Sequence, residues 1–138
     1  MQTSPMLQPY KDAIGIASKP DISEIVLSSS QDDPYKLVLP MLAHLSHQCE
    51  NRWFTWVTQS KLALEKLEDY AFQRSHIRII RANSDEYAQK ILKEALQNGN
   101  SSTVVADLKN LSTEERLHIE NAGVSGKCNT IILRLFNQ

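Results

Sequence analysis

Residues 52–58 read Arg-Trp-Phe-Thr-Trp-Val-Thr, a run of aromatic and β-branched side chains that predicts a strand near the middle of the chain. Both tryptophans of the 138-residue sequence lie in it. Because side chains alternate along a strand, Trp53 and Trp56 point to opposite faces. Helices on both faces would bury both rings, whereas an exposed strand end would leave Arg52 and one ring for a partner. The residues alone leave these two alternatives open.

Strand-like and helix-like segments alternate on both sides of this run. Further β-type runs occur at 23–27, 77–80, 102–106 and 130–135. Helical patterns lie between the strands, at 33–45, 60–70, 84–96 and 112–121. The β-α-β-α-β-α-β-α-β order predicts an α/β fold, with a three-layer, mostly parallel sheet and flanking helices.

Capping and breaking residues set the expected helix ends. Asp33 is the predicted N-cap of the first helix. Pro40, about two turns later, either kinks this helix or marks an irregular stretch before a shorter one. Ser112 with Glu115 is a capping-box signature. The later Gly-Val-Ser-Gly run at 123–126 predicts a loop between the last helix and the last strand.

Composition predicts a folded protein of ordinary charge. The chain is 41% hydrophobic and 22% charged with a net charge of −1, which provides no excess of cations for nucleic acid. We expect a flexible N-terminal arm over residues 1–20 and a single α/β domain over 21–138. The start of the sequence lacks a signal-peptide pattern, and no segment has the apolar run of a membrane helix. We therefore expect a cytoplasmic protein that binds neither membrane nor nucleic acid.

The first β-α loop, residues 28–36, argues against nucleotide binding. A phosphate loop needs glycines and a Lys-Ser/Thr pair. This loop contains no glycine and carries two aspartates, which repel phosphate. We therefore expect neither a nucleotide cofactor nor an ATPase.

Two polar clusters suggest weaker alternatives. His44, His47 and Cys49 have loose metal-ligand spacing, and the same residues could form a Cys/His nucleophile pair in a small hydrolase. A solvated helix end explains them more simply. A basic cluster at Arg74, His76, Arg78 and Arg81 is read as a solvated face or a charged sheet edge. Nucleic-acid binding would need a wider basic patch with stacking aromatics.

Several segments share the motifs of one protein family. Residues 37–46, Leu-Val-Leu-Pro-Met-Leu-Ala-His-Leu-Ser, precede the Arg-Trp-x-x-Trp pattern of residues 52–56. Residues 95–106, Ala-Leu-Gln-Asn-Gly-Asn-Ser-Ser-Thr-Val-Val-Ala, lie before the fourth strand, and Leu133-Arg134 lies in the last. In this order, over residues 23–135, they resemble the SulA family of bacterial cell-division inhibitors.

The resemblance implies a fold and a function. The fold would be a reduced RecA-like domain without a phosphate loop. The protein would be made in the SOS response to DNA damage and would bind FtsZ, the tubulin-like division protein, at its polymer-forming face. FtsZ polymerisation and septum formation would then be blocked without catalysis by the inhibitor. The family also implies removal by the Lon protease.

The resemblance also implies partner-binding residues. Arg52 matches the family's functional arginine, Trp56 its second aromatic residue, and Lys61 lies near a family basic position. Arg52 would bind a carboxylate of FtsZ, with Trp56 packing beside it, and Trp53 would belong to the core. One alternative function stays open, that of a RecA-like accessory protein in DNA repair without ATPase activity. A homodimer could also form through free sheet edges.

Overall fold

One five-stranded parallel sheet forms the centre of the protein. The computed structural model describes residues 21–28, 34–49, 51–61 and 63–136. The strands are β1 (Ile22–Ser28), β2 (Trp53–Thr58), β3 (Ile77–Arg81), β4 (Ser101–Leu108) and β5 (Asn129–Phe136). They lie in the order β1-β5-β4-β2-β3, and each neighbouring pair is parallel. The predicted parallel sheet is confirmed.

Four helices connect the strands and cover both faces of the sheet. They are α1 (Leu39–Ser46), α2 (Ala63–Glu68), α3 (Asp85–Gln97) and α4 (Thr113–Gly126). The chain crosses the sheet in one direction from β1 to β3 and returns from β3 to β5. Because crossovers between parallel strands are right-handed, this reversal places α1 and α2 on one face and α3 and α4 on the other. The three-layer architecture is therefore confirmed.

A separate apolar core fills the space on each face. The core beneath α1 and α2 includes Phe54, Trp56, Leu133, Leu39 and Leu42. The core beneath α3 and α4 includes Val57, Val104, Ile132, Leu92 and Ile119. Each such side chain contributes about 1.5–3 kcal/mol when it leaves water. Alternate residues of β2 supply both cores, which is what the period of a strand requires.

The last strand along the chain, β5, lies inside the sheet. It separates β1 from β4, and β5 is the only strand that pairs with β1 in the described sheet. The edges of the sheet are β1 and β3. A homodimer formed through one of these edges stays a prediction.

An ion network joins the edge strand β1 to the elements beside it. Glu24 of β1 accepts a hydrogen bond from Arg134 of β5 at 2.9 Å and another from Arg116 of α4. The bond from Arg134 has the largest influence on the pKa of Glu24. Together with Arg116 it lowers that pKa, although partial burial acts in the opposite direction.

Pro40 lies in the first turn of α1. Residues 34–38 form turns, Val38 is the N-cap residue, and the helix begins at Leu39. The missing N–H of Pro40 therefore falls among the N-terminal N–H groups that have no partner within a helix. The alternative with an irregular stretch before a shorter helix is confirmed. The N-cap predicted at Asp33 and the arm predicted at 1–20 lie outside the described residues.

The starts of α3 and α4 follow their sequence signals. Ser84 Oγ accepts the N–H of Tyr87 at 3.1 Å. Ser112 and Glu115 form both bonds of the capping box, at 3.1 and 2.9 Å. These bonds satisfy N–H groups that the first helical turn leaves free.

The end of α4 differs from the prediction. The helix continues to Gly126, and the following residue, Lys127, adopts the left-handed conformation with φ 54°. The loop predicted at 123–126 is therefore wrong. Gly126 allows α4 to pack closely against α3, because a Cβ atom on this residue would lie 1.6 Å from the carbonyl oxygen of Leu96 in α3.

Candidate protein-binding site at the amino-terminal edge of the sheet

Between β2 and β4, the carboxyl-terminal edge of the sheet is filled by the protein's own side chains. Parallel α/β folds hold ligands where neighbouring strands lead to helices on opposite faces, and here that place lies between β2 and β4. Asp107, near the end of β4, is 2% exposed. Its carboxylate accepts hydrogen bonds from Trp56 Nε1 at 3.0 Å, from Tyr35 Oη at 3.2 Å and from Thr58 Oγ1. Burial raises the pKa of Asp107, although these bonds act in the opposite direction.

Asp85 closes the same edge from the start of α3. It accepts Gln59 Nε2 at 2.7 Å and the N–H groups of Lys109 and Asn110, each at 2.9 Å. Burial alone would raise the pKa of Asp85, but these bonds outweigh it and lower that pKa. Gln59 Nε2 also donates to the carbonyl of Asp107 at 3.0 Å. This network joins β2, β4 and α3 and occupies the usual ligand position.

Arg52 lies at the opposite, amino-terminal edge, directly before β2. Its Nη2 donates to the carbonyl of Lys127 at 2.9 Å. Its Nη1 donates to the carbonyls of Gly126 and Gly99 at 3.4 and 3.5 Å. These carbonyls lie at the carboxyl-terminal end of α4 and in the turn after α3, where the helix dipoles favour a cation. A guanidinium has five N–H donors, so the half-buried Arg52 retains donors for an acceptor outside the chain.

A cavity of about 490 Å³ opens beside Arg52. Its polar lining includes Gln48, Asn51, Ser102, Thr103 and Asn129. The thiol of Cys49 also lines it, and burial raises the pKa of that thiol. Since the thiolate is the reactive form of cysteine, this thiol is a poor nucleophile at neutral pH. The cavity therefore offers one cation and several hydrogen-bonding groups, which suit recognition better than covalent chemistry.

The exposure of the two tryptophans is the opposite of the one expected from their predicted roles. Trp56, predicted as a partner contact, is 0% exposed, and its ring meets that of Tyr35 edge-on with 6.1 Å between centroids. Trp53, predicted to belong to the core, is 38% exposed. The two rings do lie on opposite faces, but Trp56 is deep in β2 whereas Trp53 is its first residue. Position along the strand, rather than the face, decides exposure here.

Lys61 is exposed but lies far from Arg52. It follows the carboxyl end of β2, whereas Arg52 precedes the amino end of that six-residue strand. The strand alone separates the two ends by about 20 Å. The structure therefore brings Arg52 and Trp53 together at one edge and leaves Lys61 at the other.

The histidines considered as metal ligands have other neighbours. His47 Nε2 lies 2.7 Å from the carbonyl oxygen of Ala71, and His44 Nε2 lies 3.3 Å from Gln48 Nε2. Within 21–28, 34–49, 51–61 and 63–136, three or more His, Cys, Asp or Glu side chains nowhere form a metal-binding group. No helix in those ranges has the length and apolar character needed to cross a bilayer.

Replacing each tryptophan with phenylalanine tests this assignment. Trp56→Phe is expected to lower the free energy of unfolding by about 1–3 kcal/mol, because the buried carboxylate of Asp107 loses its N–H donor. Trp53→Phe is expected to change it by less than about 0.5 kcal/mol, because that ring is partly exposed. Denaturant titration of the two variants measures the difference, and equal losses would contradict the assignment.

Comparisons with known proteins agree on one family. The family model described as "Cell division inhibitor SulA" matches residues 21–130. A protein of that name from Serratia marcescens is 32% identical over 114 residues, which cover 82% of this chain and 67% of the relative. One from Yersinia enterocolitica is 30% identical over 118 residues, covering 85% and 69%. The crystal structure of SulA from Pseudomonas aeruginosa has a TM-score of 0.76 at 30% identity and covers 83% of this chain and 98% of that one.

Proposed function

The chain belongs to the SulA family of cell-division inhibitors, and on that basis we propose that it prevents septum formation by binding FtsZ at its polymer-forming face. An inhibitor of this kind acts by occupying a surface that FtsZ subunits need for polymerisation. It requires a complementary binding surface and no catalytic step. The hydrogen-bond network of Asp107 and Asp85 between β2 and β4 is compatible with this mode of action.

Arg52 is the observation that supports the proposal most directly. By the resemblance it matches the family's functional arginine, and it lies at the rim of a polar cavity. Among the described residues its guanidinium donates hydrogen bonds only to carbonyl oxygens, so its charge is available to an outside carboxylate. Arg52 is therefore pre-oriented before a partner arrives, which lowers the entropic cost of binding.

The cellular setting forms part of the same proposal. The protein would be made in the SOS response, act in the cytoplasm where FtsZ assembles, and be removed by the Lon protease when division resumes. Two measurements test this setting. One is the level of the protein before and after DNA damage, and the other is its half-life in cells with and without Lon. A level that does not rise, or a half-life that Lon does not change, would contradict the corresponding part.

The central test is the effect of the purified chain on FtsZ. GTP hydrolysis by FtsZ and sedimentation of its polymers are measured as the chain is added from substoichiometric amounts to excess. We expect both signals to fall together, because FtsZ hydrolyses GTP between polymerised subunits. Unchanged polymer and unchanged hydrolysis at excess protein would reject the proposed function.

Arg52→Ala is expected to weaken FtsZ binding by about tenfold or more, because a charge-assisted hydrogen bond contributes about 1.5–3 kcal/mol. Binding is measured by titration of the folded variant into FtsZ. Lys90→Ala, on the exposed side of α3, removes the same charge and is the matched control. Full binding by Arg52→Ala would exclude Arg52 as a contact.

Two further measurements separate the roles of Arg52 and Lys61. Since Arg52 also holds the ends of α3 and α4, its variant is expected to melt at a lower temperature, and affinity is therefore normalised to the folded fraction. Lys61→Ala tests the other predicted contact. Because Lys61 lies at the opposite end of β2, a loss of affinity in this variant would show that the interface extends across the sheet.

A further inference from the structure

Arg78 of β3 is held in one orientation at the amino-terminal edge of the sheet. Its Nε donates to Thr55 Oγ1 at 2.9 Å, and its Nη2 donates to Ser101 Oγ at 3.4 Å. Its guanidinium carbon lies 5.3 Å from the centre of the Trp53 ring, within the range of a cation–π contact. Three contacts thus fix a guanidinium that is only half-buried.

The two hydroxyl groups do not depend on Arg78 for a hydrogen-bond partner. Thr55 and Ser101 are both 0% exposed, and their oxygen atoms are hydrogen-bonded to each other at 2.7 Å. This bond gives each of the two oxygen atoms a hydrogen-bond partner that does not depend on the arginine. The hydroxyl groups therefore orient Arg78, and a purely structural role would not require its charge.

The charges of Arg52 and Arg78 are not neutralised by carboxylates among the described residues. Three other arginines form ion pairs, namely Arg74 with Glu68 and both Arg116 and Arg134 with Glu24. Among the described residues, Arg52 and Arg78 donate hydrogen bonds only to uncharged oxygen atoms. A guanidinium oriented by neutral acceptors retains its capacity for a charge-assisted bond to an outside anion.

Trp53 is a neighbour of both arginines at the amino-terminal edge, of Arg52 along the chain and of Arg78 through its ring. It directly follows Arg52 in the sequence, and its register partner in β4 is Ser101, one of the two residues that hold Arg78. Arg78 itself is the register partner of Thr55 in β2. We call these three side chains, Arg52, Trp53 and Arg78, the amino-edge surface. It presents two oriented cations and a partly exposed aromatic ring, which Arg78 contacts directly.

We infer that Trp53 and Arg78 form a second contact for FtsZ beside Arg52, and that the two arginines bind carboxylates of one acidic FtsZ loop. Trp53 packs against the apolar atoms of that loop. This inference rests on the proposed function and identifies the chemistry that the partner must present. Trp and Arg are the residue types that most often dominate the energy of an interface.

Charge favours a protein loop over nucleic acid as the anion. Nucleic-acid affinity comes from many phosphate contacts, and this chain has a net charge of −1 with two oriented, unpaired arginines at this edge. A protein loop with one or two carboxylates matches these two arginines in number. The aromatic ring suits the aliphatic side chains that flank such a loop.

The test compares two arginines of the same strand. Arg78→Ala removes the oriented charge, and Arg78→Met removes it while keeping an apolar cover over the buried hydroxyl groups. Arg81→Ala is the matched control, because Arg81 lies three residues later in β3 and is exposed. FtsZ is titrated with each full-length variant at low and high salt, and thermal melts give the folded fraction. A single-stranded oligonucleotide is the second probe.

Both Arg78 variants are expected to bind FtsZ about tenfold or more weakly than the unmodified chain, whereas Arg81→Ala stays within about twofold. Their affinity is expected to depend less on salt, because a charge pair has been removed. Trp53→Ala is expected to lose affinity in the same way. The oligonucleotide is expected to bind weakly and equally to all variants.

The outcomes separate this inference from the proposed function. If the unmodified chain binds FtsZ and both Arg78 variants bind equally well per folded molecule, the inference is overturned and the proposed function stands. Equal losses in the Arg81 control would show a general charge effect and also overturn it. Tight oligonucleotide binding that depends on Arg78 would assign the surface to nucleic acid instead. If the unmodified chain does not bind FtsZ, both proposals fail.

Discussion

Replacing Gly126 with alanine is expected to lower the free energy of unfolding by about 3 kcal/mol or more, a large part of the 5–15 kcal/mol typical of a folded domain. A Cβ atom on Gly126 would lie 1.6 Å from the carbonyl oxygen and 2.8 Å from the carbonyl carbon of Leu96. These are backbone atoms of α3, so no side-chain rotation can relieve the clash. The two helices must separate, and the core between them loses contacts.

Two substitutions control for other effects of adding a methyl group. Gly99→Ala places a Cβ atom 3.8 Å from its nearest neighbour, but φ is 74° there, so only the left-handed backbone conformation is penalised, by about 1–2 kcal/mol. Ser125→Ala lies in the same turn as Gly126 but is exposed, and it should change stability by less than about 0.5 kcal/mol. Denaturant titration compares the three variants. A Gly126→Ala loss no larger than that of Gly99→Ala would contradict the packing explanation.

Asp107→Ala is expected to lower the free energy of unfolding by about 3 kcal/mol or more, because each buried donor left without an acceptor costs about 1–3 kcal/mol. Trp56 Nε1, Tyr35 Oη and Thr58 Oγ1 all donate to this one carboxylate. Asp107→Asn keeps the shape of the side chain. Its amide oxygen can accept from Trp56, and its amide nitrogen can donate to the hydroxyl groups. The asparagine variant should therefore be much more stable than the alanine variant.

The pH dependence of Asp107→Asn provides an independent check. Since burial raises the pKa of Asp107, the native protein holds this proton more tightly than the unfolded chain does. The protonated carboxyl makes its full contribution to the free energy of unfolding below the ordinary aspartate pKa of about 3.9. That contribution is lost as the pH rises through the raised native pKa. The stability of Asp107→Asn relative to the unmodified chain should therefore increase as the pH rises from about 4. A constant difference between the two proteins would show that the buried carboxyl does not titrate in this way.

Asp85→Asn should show the opposite slope. The pKa of Asp85 is lowered, so its contribution to stability is present above the ordinary aspartate pKa and is lost as the pH falls through the native pKa. The cost of Asp85→Asn should therefore be largest at neutral pH and shrink in acid. The two neighbouring carboxylates thus act as controls for each other in one series of unfolding titrations.

Local sequence signals predicted the layers of the fold because they depend on periodicity and capping. Ser84 and the pair Ser112 and Glu115 mark helix starts through bonds to residues three positions away. The end of α4 could not be predicted in the same way. Gly126 looks like a loop residue in the sequence, and only the approach of α3 explains why a glycine belongs inside the helix.

The candidate site was predicted in part. Alternation placed the two tryptophans on opposite faces, as observed, but exposure depends on how far each strand end extends beyond its helices. Arg52 was found through its motif. Arg78 was predicted only as a charged edge or solvated residue, because its orientation depends on Ser101, a residue two strands away in the sheet. A signal for Asp107 did exist, since it is a single carboxylate that ends the apolar run Val104-Val105-Ala106.

The position of β5 has a consequence for how the protein is made. Residues 129–136 leave the ribosome after the other four strands, yet β1 pairs in the sheet with this strand. Residues 22–28 are therefore synthesised about a hundred residues before their strand partner. The pairing of β1 with β5 is a long-range contact of the kind that slows folding. The sheet is completed from its interior only after translation of this strand. Until then β1 and β4 expose unpaired backbone groups to chaperones and proteases.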